Sequence, residues 1–291
     1  MSAETIRVAS ADGSTAATFV PDAGMVCCSL EHAGTELLDP GKGLDAYATR
    51  GSTMGIPLLY PWANRLDAFE YSAAGKNVAL PHDVPTDPNG LPIHGALPGR
   101  MRWEARVEDT TLSARLEWTL LELFPYAHEA GLEVTVAPGE LSITTKVEAA
   151  EATPISFGYH PYLRLSEGGR ERWRMELPTL ARLLLDERMI PTGDREPFTQ
   201  TEFELQDSSW DDGFVVASQP ARFEVGDPSG RGIALELVEG YPYAQIYAPP
   251  GRDFICFEPM TAPTNALRSG DGLTVLAPGD EYSATFTVTC W

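Results

Sequence analysis

The stretch LEVTVAPGELSITTKV, residues 132–147, has the pattern that decides the fold of this chain. Apolar side chains alternate with polar ones on both sides of Pro138-Gly139, which is the period of strands that bury one face. Pro-Gly is a turn dipeptide, and the two alternating runs follow one another in hairpin order. The stretch therefore predicts two antiparallel strands joined by a tight turn.

The same alternation recurs along the chain, whereas helical periodicity is scarce. Residues 112–118 present one alternating face and residues 282–288 another. The 26 Gly and 24 Pro are spread through the chain as turn punctuation, without a linker or a boundary in composition. We predict an all-β protein in which residues 1–291 form a single domain, a large antiparallel β-sandwich rather than a small closed barrel.

Composition and charge argue against several classes of partner. The formal net charge is −21, whereas nucleic acids and anionic membranes are bound through clusters of Lys and Arg. No run approaches the length of an apolar membrane span, and the N-terminus lacks a basic segment followed by an apolar one. We therefore expect no nucleic-acid or membrane partner and a cytoplasmic location.

Neither a metal site nor a cofactor site is predicted. The four cysteines show no CxxC or Cys/His spacing, and His32, His82 and His128 lack regular ligand spacing. The sequence has no GxGxxG after a strand, no GxxxxGK[ST], no HExxH and no GxSxG. A glycosidase with paired carboxylates stays open, because 42 acidic residues offer many candidates.

The segment DFICFEPMTAPTNAL, residues 253–267, places one carboxylate beside an apolar run. Residues 254–257 are typical of a buried strand, and Pro259 is predicted to end it because proline has no N–H for the ladder. Glu258 is then either the first solvated residue after a core strand or a functional carboxylate fixed at the strand end.

His160 has a similar position in ISFGYHPYLRL, residues 155–165, at the end of an apolar run and directly before a proline. Two groups of different acidity, each at a strand end, could converge on one pocket as acid and base. Each would then contribute on the order of 10² to 10⁴ in rate.

Further candidates for ligand contact lie in polar segments. His94 lies in a loop stiffened by prolines, and Arg65 offers a planar fork of donors that suits hydroxyls or a carboxylate. Structural roles, as a packing histidine and an ion-paired arginine, stay open for both. Asp211 and Asp212 precede an apolar run and either accept hydrogen bonds from a hydroxylated ligand or form a solvated turn. Four aromatic residues could offer flat faces to a sugar ring: Trp62, Tyr126, Tyr162 and Tyr243.

Taken in order, these motifs resemble the aldose 1-epimerase, or galactose mutarotase-like, family. The blocks are NRL at 64–66, HG at 94–95, GYHPYLRL at 158–165, DDGF at 211–214 and FEPMTAPTNAL at 257–267. The resemblance implies the supersandwich of that family, a single large β-sandwich with an open site for a small sugar and no cofactor or metal. We expect a monomer or a weak homodimer.

The resemblance implies roles for individual side chains. Glu258 would be the general base that removes the proton from the anomeric hydroxyl, and His160 the general acid that protonates the ring oxygen. Arg65, His94 and Asp211 would position sugar hydroxyls or support the developing charge.

The implied function is that of an aldose 1-epimerase, or mutarotase, which interconverts the α and β anomers of a hexose or related aldose. One alternative is a hexose-6-phosphate 1-epimerase, which would require basic residues near the site; Arg100, Arg102 and Arg164 lie near the motifs in sequence. Another is a non-catalytic sugar-binding protein on the same fold.

Some residues depart from the pattern of the better-known family members. Tyr159 precedes the histidine where Asn is familiar, Ala96 stands where a second Gly is familiar, and Met260 follows Glu-Pro where Gln is common. We expect these changes to alter the pocket lining and the preferred sugar. Asp212 is an alternative match to Asp211.

Overall fold

The chain is described by a computed structural model that covers residues 4–165 and 169–291. Strands make up 51 % of it and helices 6 %, which confirms the all-β prediction. No helix in these two ranges is long and apolar enough to cross a membrane.

Along the first half of the chain the elements are β1 (Ile6–Ala9), β2 (Thr15–Val20), β3 (Val26–His32), β4 (Thr35–Glu36), α1 (Leu44–Arg50), β5 (Leu58–Leu59), β6 (Glu70–Ala73), β7 (Lys76–Ala79), a 3₁₀ turn (Pro98–Arg100), β8 (Glu104–Glu108), β9 (Thr111–Glu117), β10 (His128–Ala137) and β11 (Glu140–Ala149). The second half contains β12 (Thr153–Ile155), β13 (Gly158–Tyr159), β14 (Tyr162–Leu163), a 3₁₀ turn (Arg170–Arg172), β15 (Arg174–Glu176), β16 (Leu180–Leu185), β17 (Pro191–Phe198), β18 (Glu202–Glu204), β19 (Trp210–Val216), β20 (Ala221–Gly226), β21 (Gly232–Glu239), β22 (Tyr243–Ala248), β23 (Ile255–Met260), α2 (Ala266–Ser269), β24 (Thr274–Leu276) and β25 (Glu281–Cys290).

Two large antiparallel sheets form the sandwich. One has nine strands in the order β18-β15-β20-β21-β25-β11-β10-β9-β8, and the other has the order β17-β16-β19-β22-β23-β13-β5, with β14 also paired to β23. Their inner faces are in contact, since the rings of Phe223 in β20 and Phe257 in β23 lie 5.5 Å apart. The Tyr159 hydroxyl of β13 likewise lies 2.7 Å from Thr145 Oγ1 of β11. The predicted β-sandwich is confirmed.

The hairpin predicted from residues 132–147 is present as β10 and β11. Val134 pairs with Ile143 and Val136 with Leu141, so the apolar residues of both strands share the buried face. Gly139 has φ of +71°, a left-handed conformation that glycine adopts without steric cost.

One large cluster of buried apolar residues has members from both large sheets and from the N-terminal sheet β1–β4. This continuity agrees with one domain over residues 1–291, which stays a prediction. The sandwich matters for function because it gives the two faces of the eight-stranded sheet different surroundings. One side is buried in the core, and the other carries the loops that surround a cleft.

Candidate active site

Strand β23 carries Glu258, and it differs from the strand that the sequence suggested. The prediction that Pro259 ends it is wrong, because pairing continues through Pro259 to Met260, which is paired with Tyr243. On its other side, β23 pairs with β14 at Cys256 and with β13 at Met260, and residues between these have no ladder partner there. The strand tolerates Pro259 because its backbone nitrogen, which has no hydrogen to donate, faces this gap, where no strand is present to accept a hydrogen bond. Glu258 is therefore not a solvated strand end but an interior strand residue, 2 % exposed.

The same gap places His160 next to Glu258. Gly158 pairs with Met260 and Tyr162 with Cys256, so both ladder pieces have one register. Continuing that register across the gap sets His160 directly opposite Glu258. On the far side of β23, Glu258 is paired with Gln245 of β22. Three polar side chains from adjoining strand segments thus form one row across the sheet.

The two central side chains are in contact. His160 Nε2 lies 3.2 Å from Glu258 Oε1, and the side chains are 9 % and 2 % exposed. The His160 ring stacks in parallel on Tyr162, with centroids 4.5 Å apart, and the Tyr162 hydroxyl lies 3.4 Å from the same Nε2. Nδ1 has no hydrogen-bond partner on any other described residue. The chemistry of this imidazole is therefore directed through Nε2.

Burial acts on this pair by disfavouring both charged forms. It raises the pKa of Glu258 well above its usual 4.5, an effect reinforced by Asp211 and opposed by Arg65. It lowers the pKa of His160 from 6.5 to about 3, and Arg65 acts in the same direction. Because Oε1 and Nε2 are adjacent, we treat them as one unit that shares a single proton. A unit of this kind can accept a proton at one atom and give one from the other.

The pair lies in a cleft of about 370 Å³. Its walls come from β19, β22 and β23, from the segment around Tyr162 and from the loops between residues 51 and 100. The lining residues are Thr53, Asn64, Arg65, Thr86, Asp87, Pro88, Ile93, His94, His160, Tyr162, Asp211, Gln245, Tyr247 and Glu258. The five residues to which the family resemblance gave roles thus lie around one cavity: Arg65, His94, His160, Asp211 and Glu258.

His94 is held so that one nitrogen is left for a ligand. The backbone N–H of Asn64 donates to His94 Nδ1 at 3.2 Å. Burial lowers the pKa of His94 well below 6.5, with His160 and Arg65 acting in the same direction, so the ring is neutral. A neutral ring that accepts at Nδ1 carries its proton on Nε2, which makes His94 a donor. The following Gly95 is required, because a Cβ there would lie 2.2 Å from the Tyr60 carbonyl oxygen.

Arg65 and Asp211 lie on the polar side of the cleft. Arg65 donates from Nε to Asp87 Oδ2 at 2.8 Å, and its Nη2 lies 3.5 Å from Asp211 Oδ2. Asp211 also accepts a 2.6 Å hydrogen bond from Gln245 Nε2. The alternative Asp212 does not line the cleft and lies 3.5 Å from Arg182 Nε. The geometry therefore favours Asp211 over Asp212 for ligand contact.

No group of three or more His, Cys, Asp or Glu side chains within residues 4–165 and 169–291 is arranged to hold a metal ion. The polar groups around the cleft are instead imidazole, guanidinium, amide, hydroxyl and carboxylate groups. Such a set suits a ligand rich in hydroxyl groups, because each hydroxyl both donates and accepts.

Comparison with known proteins identifies the family of this chain. A family model described as aldose 1-epimerase matches residues 11–289. The chain belongs to the aldose 1-epimerase family. The galactose mutarotase of Mus musculus is 29 % identical over 259 residues, which cover 77 % of this chain and 75 % of the mouse protein. The uncharacterised protein YihR of Escherichia coli K12 is 25 % identical over 273 residues, covering 85 % and 87 % of the two chains.

Solved structures give the same fold. A galactose mutarotase-like protein from Clostridium acetobutylicum has a TM-score of 0.83 to this chain, over 99 % of this chain and 95 % of its own, at 21 % identity. The Slr1438 protein from Synechocystis sp. PCC 6803 has a TM-score of 0.82 at 24 % identity, over 100 % and 96 % of the two chains. At these identities the similarity establishes the fold alone.

The departures from the pattern of the aldose 1-epimerase family lie outside the cleft, contrary to expectation. Tyr159 is 2 % exposed and points into the sandwich core, where it contacts Thr145. Ala96 is buried, and Met260 packs in a small apolar cluster with Leu59. None of the three lines the cavity. The expectation that they alter the pocket lining is wrong, because strand alternation turns Tyr159 away from its neighbour His160.

Gln245 and Asp87 are residues of the cleft that were not predicted from the sequence. Gln245 is the cross-strand partner of Glu258, and Asp87 is the partner of Arg65. Gln245 lies in an alternating strand with no motif of its own, so only the strand register could have identified it. The sequence gives little indication that Asp87 is functional, because Asp is common in turns such as Asp-Pro-Asn-Gly.

Proposed function

We propose that this chain is an aldose 1-epimerase that interconverts the α and β anomers of an unphosphorylated aldose. The observation that supports this most directly is the 3.2 Å contact between His160 Nε2 and Glu258 Oε1 at a polar cleft. Mutarotation moves protons at two oxygens bonded to the same carbon, the anomeric hydroxyl and the ring oxygen. A base and an acid that serve them must present their reacting atoms side by side.

In the proposed reaction, Glu258 Oε1 removes the proton from the anomeric hydroxyl while His160 Nε2 gives a proton to the ring oxygen. The bond between C1 and the ring oxygen breaks, and the open-chain aldehyde forms. Rotation about the C1–C2 bond presents the other face of the carbonyl. The hydroxyl formed from the former ring oxygen then attacks C1 and returns its proton to His160. The new anomeric oxygen takes the proton from Glu258.

The proton count of the enzyme is unchanged over this cycle. Glu258 gains a proton from the anomeric hydroxyl as His160 loses one to the ring oxygen, and reclosure reverses both transfers. The pair therefore needs one proton between its two groups at the start. Burial of both groups favours this proton count with the proton on Glu258, so the proton passes from Oε1 to Nε2 across their 3.2 Å contact before the ring opens.

The other polar groups would orient the sugar. His94 Nε2–H and the Nη2 edge of Arg65 are donors for ring hydroxyls, and Asp211 is an acceptor. The neutral state of His94 suits this role, because a second cation beside His160 would oppose its protonation. Orienting groups of this kind keep the anomeric carbon against the acid–base pair.

An unphosphorylated substrate is favoured by the charges around the cleft. Arg65 is the only Lys or Arg among the described lining residues, and Asp87 already accepts its Nε–H. Arg100, Arg102 and Arg164, which would have supported a phosphorylated sugar, do not line the cleft. A phosphate would instead approach Asp211 in a chain of net charge −21.

The test is anomer exchange in freshly dissolved sugars, followed by polarimetry or NMR. We expect wild type to accelerate the exchange of α-D-glucose or α-D-galactose, and to act at least about 100-fold less efficiently on D-glucose 6-phosphate, because like charges repel in the cleft. Unchanged relaxation for all free and phosphorylated aldoses, with sugar binding retained, would instead show a non-catalytic binding protein. Preference for the phosphate ester would contradict the proposed substrate class.

A further inference from the structure

Asp87 lines the cleft, but the proposed reaction gives it no task. Its side chain is 1 % exposed. Oδ1 accepts hydrogen bonds from the backbone N–H groups of Asn89 and Leu91, each at 2.9 Å, and Oδ2 accepts from Arg65 Nε at 2.8 Å. Both carboxylate oxygens are thus bonded to protein donors. Any effect of Asp87 on a ligand must therefore pass through the groups that it holds.

A second turn in the chain separates the possible roles of Asp87. Residues 87–90 and 227–230 share the pattern Asp-Pro-x-Gly. In both turns the Asp N–H donates to the carbonyl four residues later at 2.9 Å, and the Gly N–H donates back to the Asp carbonyl at 3.0 and 3.1 Å. In both, Oδ1 accepts from the amide two residues later, at 2.9 and 2.8 Å. The turn alone therefore accounts for the Oδ1 contacts of Asp87.

The two turns differ at the other carboxylate oxygen. Asp227 Oδ2 accepts from Arg231, which belongs to the same turn, at 3.0 Å. Asp87 Oδ2 instead accepts from Arg65, which lies outside its turn and reaches the cleft. The ion pair of Asp87 with Arg65 is thus an addition that the turn does not require.

Arg65 is oriented by this contact. Its Nη1 donates to Asn64 Oδ1 at 3.0 Å, so Nε and Nη1 fix the plane of the guanidinium group. Its Nη2 lies 3.5 Å from Asp211 Oδ2, which is longer than an ordinary hydrogen bond. The Nη2 edge is therefore the part of Arg65 whose donors are available at the cleft.

We propose that Asp87 is a positioning residue that holds the Arg65 guanidinium plane so that its Nη2 edge faces the hydroxyl groups of the sugar. This inference rests on the proposed function, because Arg65 is the group that would contact the sugar. A buried bidentate or forked arginine contact depends on orientation as well as on charge. Loss of the Nε anchor would leave the charge in place and release the plane.

The test is a double-mutant cycle with Asp87→Asn, Arg65→Met and the double variant, measured as kcat/KM for anomer exchange. In Asp87→Asn the amide oxygen can still accept the turn N–H groups, but the amide NH₂ opposes the Arg65 Nε–H donor. We expect kcat/KM to fall about 10- to 100-fold in Asp87→Asn, since small misplacements of substrate-orienting groups have effects of that size. In the Arg65→Met background the same change should have an effect below about twofold, because the partner is already absent.

Asp227→Asn is the matched control. It alters the same type of turn and also an arginine contact, but Asp227 does not line the cleft. We expect its kcat/KM to stay within about twofold of wild type. If Asp87→Asn behaves like Asp227→Asn, or if its effect is undiminished in the Arg65→Met background, Asp87 is only a turn residue and the proposal is overturned.

A measurement without sugar keeps the inference separate from the proposed function. The Arg65 Nε–H resonance, assigned by its loss in Arg65→Met, should exchange slowly with solvent in wild type and quickly in Asp87→Asn. Rapid exchange in wild type would overturn the inference, even if Asp87→Asn does not fold. Slow exchange in a wild type that lacks epimerase activity would retain the positioning of Arg65 and reject the proposed function.

Discussion

His128 and His160 have similar surroundings but differ in the groups at their nitrogens. Both are buried, at 5 % and 7 % exposure, and both stack on an aromatic ring, Trp118 for His128 and Tyr162 for His160. His128 has a hydrogen-bond partner at each nitrogen, the Tyr60 hydroxyl at 2.5 Å from Nε2 and a backbone carbonyl at 2.6 Å from Nδ1. The pKa of His128 is lowered to about 4, chiefly by burial.

His160 has an ionisable partner instead. Its Nε2 contacts Glu258, and its Nδ1 has no partner on another described residue. Burial alone therefore does not separate a structural histidine from a functional one. The difference lies in the groups at the ring nitrogens, which are a tyrosine hydroxyl and a backbone carbonyl for His128 and a carboxylate for His160. Substitutions at the two sites should have opposite effects on stability and activity.

The largest effect is expected for His160→Gln. The amide can still contact Glu258, but it cannot transfer a proton to the ring oxygen, so kcat should fall about 10²- to 10⁴-fold. The free energy of unfolding should change by less than about 1 kcal/mol, because one weak contact is replaced by another. NMR exchange spectroscopy on the sugar and chemical denaturation measure the two quantities. Retained kcat would show that His160 is as structural as His128.

His128→Leu should have the reverse effect. Loss of the imidazole leaves the Tyr60 hydroxyl and the Tyr126 carbonyl unpaired in the core, which should lower the free energy of unfolding by about 2–4 kcal/mol. The kcat per folded molecule should stay within about twofold of wild type, because His128 does not line the cleft. Urea denaturation and active-site-normalised kinetics test this. A stable but inactive variant would contradict the division of roles.

The pH dependence of kcat/KM should report on the pair of His160 and Glu258 rather than on a free histidine. Adding a proton to the singly protonated pair removes the base, and removing its proton removes the acid. Because the pKa of His160 is lowered to about 3, activity should fall only in acid well below pH 6.5. Because the pKa of Glu258 is raised, the alkaline fall should lie well above pH 4.5. Rates measured where circular dichroism shows a folded chain test this, and an acid inflection at 6.5 would contradict it.

The smallest effects are expected at the two tyrosine hydroxyls. Tyr60→Phe should lower the free energy of unfolding by about 1–3 kcal/mol, because it leaves His128 Nε2 without its 2.5 Å partner. Tyr162→Phe removes a hydroxyl that lies 3.4 Å from His160 Nε2 and 2.5 Å from Thr53 Oγ1, and the stacked ring remains. Its kcat should therefore fall less than about tenfold. Its stability should change by less than about 1 kcal/mol, because Thr53 is half-buried at the cleft and water can replace the lost partner. Equal stability losses in the two variants would show that the His160 site is as closed as the His128 site.

Much of the fold could be predicted because period-2 alternation is a local property of the chain. The hairpin at 132–147 was identified from its own residues, and the position of His160 followed from an apolar run that ends before a proline. The course of the strand through Pro259 could not be predicted. It depends on a gap between β13 and β14, the two partners on one side of β23, and both are distant from β23 in sequence. The expectation that proline ends a strand takes account of that strand alone and not of the strands paired with it.

The candidate site likewise contains residues that could be predicted from local sequence and residues that could not. Glu258 and His160 are conspicuous in sequence because each is a polar residue between an apolar run and a proline. Gln245 and Asp87 are not, since the first is selected by cross-strand register and the second by an ion pair that leaves its own turn. The burial that raises the pKa of Glu258 depends on strands and loops that are distant from it in sequence, which no local pattern contains.

The proposed role of Glu258 as the general base is tested most directly by the rate of anomer exchange in wild type and Glu258→Gln, measured by NMR on D-glucose and D-galactose at one pH. Glutamine preserves the shape of the side chain and its contact with His160 but cannot remove the anomeric proton. We expect accelerated exchange in wild type and a loss of about 10²- to 10⁴-fold in Glu258→Gln, with the fold intact by circular dichroism. Exchange at the wild-type rate in the folded Glu258→Gln variant would contradict this role.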